Sequence, residues 1–125
     1  MSLSIHGKTA IVTGAGRGMG RGVAETLARQ GATVAVNDFY AERAESVAAE
    51  LRAQGYKALA APADVTDYEA VKAMISNIRK QAGIVDIYVS NAGVPTSGMG
   101  YARFLESRPE DWERFVRLNL YGLMN

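Results

Sequence analysis

The 125-residue chain contains no cysteine, a single histidine and three prolines. Without cysteine it can form neither a disulfide framework nor a thiolate metal site, and a reducing cytoplasm suits it. The histidine, His6, precedes the first strand pattern and reads as surface structure, so no metal site is expected. Excess charge of one sign is also missing: 14 basic residues and 13 acidic ones are scattered along the chain, for a net charge of +1. A nucleic-acid or membrane-surface partner would require a basic stripe, so neither is expected. No apolar run reaches the length needed to span a bilayer. Met1 to His6 lacks the basic segment and apolar core of a signal peptide. Repeats, low-complexity tracts and Pro/Ser-rich linkers are absent too. What these absences leave is a cytoplasmic globular domain over residues 1–125, either one domain or part of one.

What the chain does have is an alternation of short β-branched runs with longer helical patterns. Strands are predicted at Thr9–Thr13, Ala32–Asn37, Tyr56–Ala61 and Val85–Ser90, the last nearly all apolar, as in a strand covered on both faces. Helices are predicted from Gly18 to Gln30 and from Ala41 to Gln54, with Gly31 and Gly55 as their stops. A third helix opens at Thr66, which forms a capping-box pattern with Glu69, and runs to about Ala82. Ser107 and Glu110 repeat that pattern before a fourth helix, and Pro109 suits its first turn. Strands alternating with helices imply an α/β fold with a doubly wound parallel sheet, the Rossmann-type architecture, here in the order 3-2-1-4. Strand 4 is then an apolar edge, which further strands after Asn125 or a partner would have to cover.

Between strand 1 and helix 1 lies Thr13-Gly-Ala-Gly-Arg-Gly-Met-Gly20. Glycines there let the backbone turn sharply and approach a pyrophosphate, which the first helical turn meets with free N–H groups. The general dinucleotide spacing fails from Gly14, because its third glycine would fall on Met19. The pattern that fits is Thr-Gly-x-x-x-Gly-x-Gly, through Thr13, Gly14, Gly18 and Gly20. Taken alone, such a turn could also be an empty strand–helix junction.

In this spacing the chain resembles the short-chain dehydrogenase/reductase family, in its compact-chain branch, and three more segments carry the likeness across essentially the whole chain. Asp64-Val65 follows strand 3, where family members place such a pair against the adenine ring. Asn91-Ala92-Gly93 follows strand 4 and matches the signature that lines the family's cofactor cleft, although many members have a second Asn where this chain has Ser90. Asn119-Leu120-Tyr121-Gly122 matches the fourth-helix motif whose Asn belongs to the family's catalytic tetrad. All of these except Asn119 should lie beyond the carboxyl ends of the strands. With the glycine turn, including Arg17 and Met19, they form the expected cofactor-binding set.

Asp38 closes strand 2, where a carboxylate can accept hydrogen bonds from the adenosine ribose and repel a 2′-phosphate. A solvated Asp opening a turn is the plain alternative. Arg17 points the other way, since a basic residue in the glycine turn helps hold the 2′-phosphate in some NADP-dependent relatives. Phe39 and Tyr40, not a second cation, follow Asp38, which favours NAD over NADP.

The resemblance further implies hydride transfer between an alcohol or carbonyl substrate and the nicotinamide. A Tyr serves as general acid/base beside a Lys that lowers its pKa, with a Ser and the Asn in support. Asn119 is the one tetrad member this chain carries. Tyr68 and Lys72 have the Tyr-x-x-x-Lys spacing but sit upstream of the Asn-Ala-Gly segment, on a helix expected outside the sheet. These 125 residues alone are therefore expected to be inactive. A non-catalytic dinucleotide-binding or interaction module ending at Asn125 is the alternative. Val94 to Arg108 should border the substrate site, its aromatics either lining a pocket or anchoring a long loop. Trp112, Phe115 and Val116 form an apolar stripe that serves either core packing or, as in relatives, a homodimer or homotetramer interface.

Overall fold

The structure is a computed structural model, and it describes residues 4–93 and 104–125. Four parallel strands form one sheet in the order β3-β2-β1-β4, as expected. The strands are β1 (Thr9–Val12), β2 (Thr33–Val36), β3 (Ala58–Ala60) and β4 (Ile87–Val89). Between them run α1 (Gly18–Arg29), α2 (Ala41–Ala53) and α3 (Tyr68–Ala82), and α4 (Pro109–Val116) follows β4. A π-helical turn, Arg117–Tyr121, and a short helical turn, Gly122–Met124, extend α4. No helix among the described residues is long and apolar enough to cross a membrane.

The strand period of two sorts side chains onto two faces. Val12, Val34 and Val36 pack with Ala24 and Ala28 of α1 and with Ala44, Val47, Ala48 and Leu51 of α2. Ile11 and Ala35, paired in register, face the opposite way onto Val71, Met74 and Ile78 of α3. The buried stripe of α1 is Gly20, Ala24 and Ala28, small residues one turn apart that let the helix lie close to the sheet. Both glycine stops form as expected. Gly31 N donates to Ala28 O and Ala32 N to Leu27 O, while Gly55 N donates to Arg52 O and Tyr56 N to Leu51 O. Each pair of bonds satisfies carbonyls that the helix end would otherwise leave open.

Three expectations are corrected. The cap of α3 is Asp67, whose carboxylate accepts from Glu69 N and Ala70 N. Thr66 is drawn away because its N–H and hydroxyl both donate to Asp64 Oδ1. At α4 the cap falls on Arg108, since Pro109 takes the first helical position, and Arg108 N donates to Asp111 Oδ2 at 2.9 Å. Ser107 instead accepts from Trp112 Nε1. Finally, β4 is not covered on both faces: Tyr88 is 45% exposed. The described residues opposite it offer only partial cover, through a hydrogen bond from Tyr88 Oη to Gly122 O.

At the amino end of the sheet, Asp86 Oδ2 accepts from Thr9 N at 2.9 Å and Oδ1 faces Lys8 Nζ at 3.3 Å. The Thr9 N–H, aided by Lys8, holds the Asp86 carboxyl below the usual carboxylate value. A depressed carboxylate pKa stabilises the fold above its unfolded value of about 3.9, and the contribution is lost as pH falls through the folded value. Asp86→Asn should therefore weaken the fold at neutral pH and matter progressively less below about pH 4. Denaturant midpoints of both proteins across the acid range check this, and a gap that stayed constant into strong acid would exclude the charge as its source.

Candidate functional site

At the carboxyl ends of the strands lies a cleft of about 830 Å³. Its floor is the glycine turn. Gly14 has φ +61°, and a Cβ there would stand 3.0 Å from Ala92 Cα, so a side chain is excluded by backbone conformation and by space together. At Gly20 a Cβ would overlap Gly14 O and the Asn91 amide. α1 begins at Gly18 with no side-chain cap and no acidic residue in its first turn. Its leading N–H groups and positive dipole end are thus open to an anion, which a pyrophosphate would supply.

Two strand-end residues hold this floor to the neighbouring loop. Thr13 Oγ1 accepts from Asn91 N at 3.0 Å and Ala92 N at 3.1 Å. Asn91 Nδ2 returns the contact by donating to Thr13 O at 3.0 Å and Gly14 O at 3.1 Å. Thr13 is 1% exposed and lies behind the cleft wall, not in it.

The side wall comes from β2. Asp38 is 5% exposed, with Oδ2 accepting from Gly16 N at 3.1 Å and Oδ1 from Tyr40 N at 3.0 Å. It is therefore no solvated turn residue. Two backbone donors leave it further lone pairs, which hydroxyl groups could use. Asn37, 1% exposed, sends Nδ2 to Ala61 O at 2.8 Å and Ala63 O at 3.2 Å, tying β2 to the segment that carries Asp64 and Val65.

Among the expected residues, Gly14, Arg17, Gly18, Met19, Gly20, Asp38, Asp64, Val65, Asn91, Ala92 and Gly93 all line this one cleft. Asn119 sits beside it. Its Nδ2 donates to Gly93 O at 2.9 Å and to Phe115 O at 3.0 Å, so the amide bridges the π-helical turn to the Asn-Ala-Gly segment. Tyr68, 58% exposed, and the exposed Lys72 are both outside the cleft, as expected.

Sequence reasoning missed Asn37, Phe39, Arg43, Arg114, Arg117 and Leu118, which also line it. Arg43, Arg114 and Arg117 read as ordinary cations on helical patterns, and only Asn37, a polar residue ending an apolar strand, carried a local signal. Most of the Val94 to Arg108 segment, including Pro95, Gly98, Gly100 and Tyr101, lies outside the described residues.

Comparison with known proteins agrees with this geometry. The profile of the short chain dehydrogenase family matches residues 8–125. The chain belongs to the short-chain dehydrogenase/reductase family. It is 40% identical over 121 residues to the 3-oxoacyl-(acyl-carrier-protein) reductase of Staphylococcus aureus strain Mu50, covering 94% of this chain and 47% of that protein. It is likewise 40% identical over 121 residues to the 2,3-dihydro-2,3-dihydroxybenzoate dehydrogenase of Bacillus subtilis strain 168, covering 97% and 45%. The crystal structure of a gluconate 5-dehydrogenase from Burkholderia cenocepacia J2315, in complex with NADP and tartrate, superposes with a TM-score of 0.85 at 36% identity, over 96% of this chain and 46% of that one. The chain thus spans just under half the length of these relatives.

Two glycines of α1 separate packing from propensity. Gly20→Ala should destabilise the fold by about 1–3 kcal/mol, because the overlapped atoms belong to the brace and the turn. Gly22→Ala, with nothing within 4 Å, should be neutral or stabilise by up to about 1 kcal/mol. Chemical denaturation of both variants checks the contrast, and equal effects would refute the crowding at Gly20.

Proposed function

We propose that this chain is the nucleotide-binding half of an NAD-dependent oxidoreductase that interconverts an alcohol and a carbonyl, working in the cytoplasm. The observation that carries the cofactor reading is Asp38, a buried carboxylate at the ribose end of a cleft whose floor is a side-chain-free turn. When bound, the nicotinamide would supply or accept the hydride. The residues of this chain hold and orient. The first turn of α1 takes the pyrophosphate on open N–H groups. Asp38 accepts hydrogen bonds from the ribose hydroxyls and sets a negative charge against a 2′-phosphate. Asp64 and Val65 border the adenine, and Asn91 to Gly93 keep the opposite wall in register. Asn119 is the catalytic contribution of this half, its bridge to Gly93 keeping the π-helical turn against the cofactor end of the cleft. The Ser, Tyr and Lys of the reaction belong to a segment beyond Asn125.

NADP in the related gluconate 5-dehydrogenase weighs on the other side of the cofactor choice. Asp38 still favours NAD here, because a phosphate beside a buried carboxylate meets like charge at low local dielectric. Assembly as a homodimer or homotetramer draws support from the apolar stripe of α4, where Trp112 and Val116 are 43% and 46% exposed and no residue is buried.

Three experiments test the reading. Titration calorimetry with the protein at its natural length should show NAD binding, and no binding at millimolar NAD would overturn the function. The 125-residue chain itself, given NAD and a panel of alcohols, should form no NADH; turnover would mean that the acid/base pair lies within it. Asp38→Ala should narrow the ratio of NAD to NADP affinity by roughly tenfold, the scale of one lost charge-assisted hydrogen bond. A ratio that did not move would remove Asp38 as the selector.

A further inference from the structure

With no cysteine in the chain, its five methionines are its only sulfur, and the described ones sit in contrasting settings. Met74, on the buried face of α3, is 7% exposed, and its Sδ accepts from Asn37 Nδ2 at 3.4 Å. Met19 is 81% exposed and lines the cleft. It is the second residue of α1, and the positions one and three residues away on either side are all glycine: Gly16, Gly18, Gly20 and Gly22. Residues three apart are neighbours on a helix surface, so the side chains that would ordinarily cover a methionine there are missing. The glycines that let this turn approach a ligand closely thus leave one oxidisable atom bare. Met124, 71% exposed, lies outside the cleft and provides the comparison.

Side chains on a helix lean toward its N-terminus. The Met19 thioether therefore leans toward the start of α1, where the leading N–H groups have neither a side-chain cap nor an acidic residue in the first turn. A thioether is a weak acceptor and leaves those donors to an anion. A peroxide changes this. A lone pair on sulfur attacks one peroxide oxygen, and the S–O bond forms as the O–O bond breaks. The leaving hydroxide takes the proton of the transferred oxygen and departs as water. Sulfur is oxidised by two electrons and the peroxide is reduced by two, which gives a polar sulfoxide. Its oxygen is a stronger acceptor than the thioether and competes with a phosphate for the open N–H groups.

We propose that Met19 is a peroxide-sensitive modification site, at which sulfoxidation obstructs the anion-binding start of α1 and lowers the affinity for a dinucleotide. This rests on the dinucleotide reading of the cleft, and the test keeps the two apart. The protein at its natural length and its Met19→Leu and Met124→Leu variants are treated with hydrogen peroxide. Peptide mass mapping locates each added oxygen, and calorimetry gives the NAD dissociation constant before and after. Met19 should be modified well before Met74, and the treated wild type should bind NAD at least about tenfold more weakly, the scale of one lost charge-assisted hydrogen bond. The two methionine sulfoxide reductases together should restore the affinity. NAD bound beforehand should slow oxidation of Met19 and not of Met124. Met19→Leu, similar in volume but without sulfur, should keep its own untreated affinity, whereas Met124→Leu should respond as the wild type does. In the wild type, oxygen gain at Met19 and loss of affinity should follow one time course, which carries the test if the leucine variant does not fold. Met19 left unmodified while Met124 is oxidised, unchanged NAD affinity with Met19 fully oxidised, or an equal loss in Met19→Leu would each overturn this proposal alone. Untreated wild type that binds no NAD overturns the dinucleotide reading, and this proposal with it.

Discussion

The reciprocal hydrogen bonds between Thr13 and Asn91 are the constraint on which the cleft depends. They join residues far apart in sequence, at the place where the chain order of the sheet reverses from β1–β2 to β1–β4. Crevices in open parallel sheets form at such a reversal, because the loops on either side leave in opposite directions. Here the loops would splay without the brace. Thr13 satisfies two backbone donors of the Asn-Ala-Gly segment, and Asn91 satisfies two carbonyls of the glycine turn. Gly14 can then sit at contact distance from Ala92, which is why neither Gly14 nor Gly20 has room for a side chain.

A second set of buried polar residues does the same on the other side of β1. Asn37 O accepts from Ala15 N, and the Asn37 amide reaches the strand-end carbonyls of Ala61 and Ala63. Asp38 binds Gly16 N. Each of these groups is shielded from water, so each bond is strong and each partner would be costly to strand. The result is a glycine turn clamped from both neighbours. Its one unclamped feature is the start of α1, where helix N–H groups remain open while α3 closes its own with Asp67. That asymmetry gives the cleft a place for an anion.

Charge inside the cleft is mixed. Arg17, Arg43, Arg114 and Arg117 share it with Asp38 and Asp64. Opposite charges kept apart by backbone contacts, as Asp38 and Arg43 are, present a ligand with both signs within a short span. A dinucleotide likewise offers both hydroxyl and phosphate groups. Away from the cleft, Tyr88 on β4 and Trp112, Val116 and Leu120 near α4 are 43–51% exposed.

Much of this was legible in the amino-acid order. Strand and helix periodicities, the glycine stops at Gly31 and Gly55, the Thr13-to-Gly20 turn and the four family segments are local patterns, set by side-chain alternation and backbone freedom over a few residues. They determined the 3-2-1-4 sheet and eleven of the cleft-lining residues. What they could not decide is which distant groups meet. Thr66 lost the α3 cap because Asp64 took its hydrogen bonds, and Thr13 became a brace behind the cleft, not a wall of it. Asn37 became a clamp because Ala61 and Ala63 end beside it. Arg43, an unremarkable helical cation in the sequence, entered the cleft because α2 begins within contact of Gly16. Local propensity acts through neighbours along the chain, whereas these contacts exist only once the sheet has brought the strand ends together.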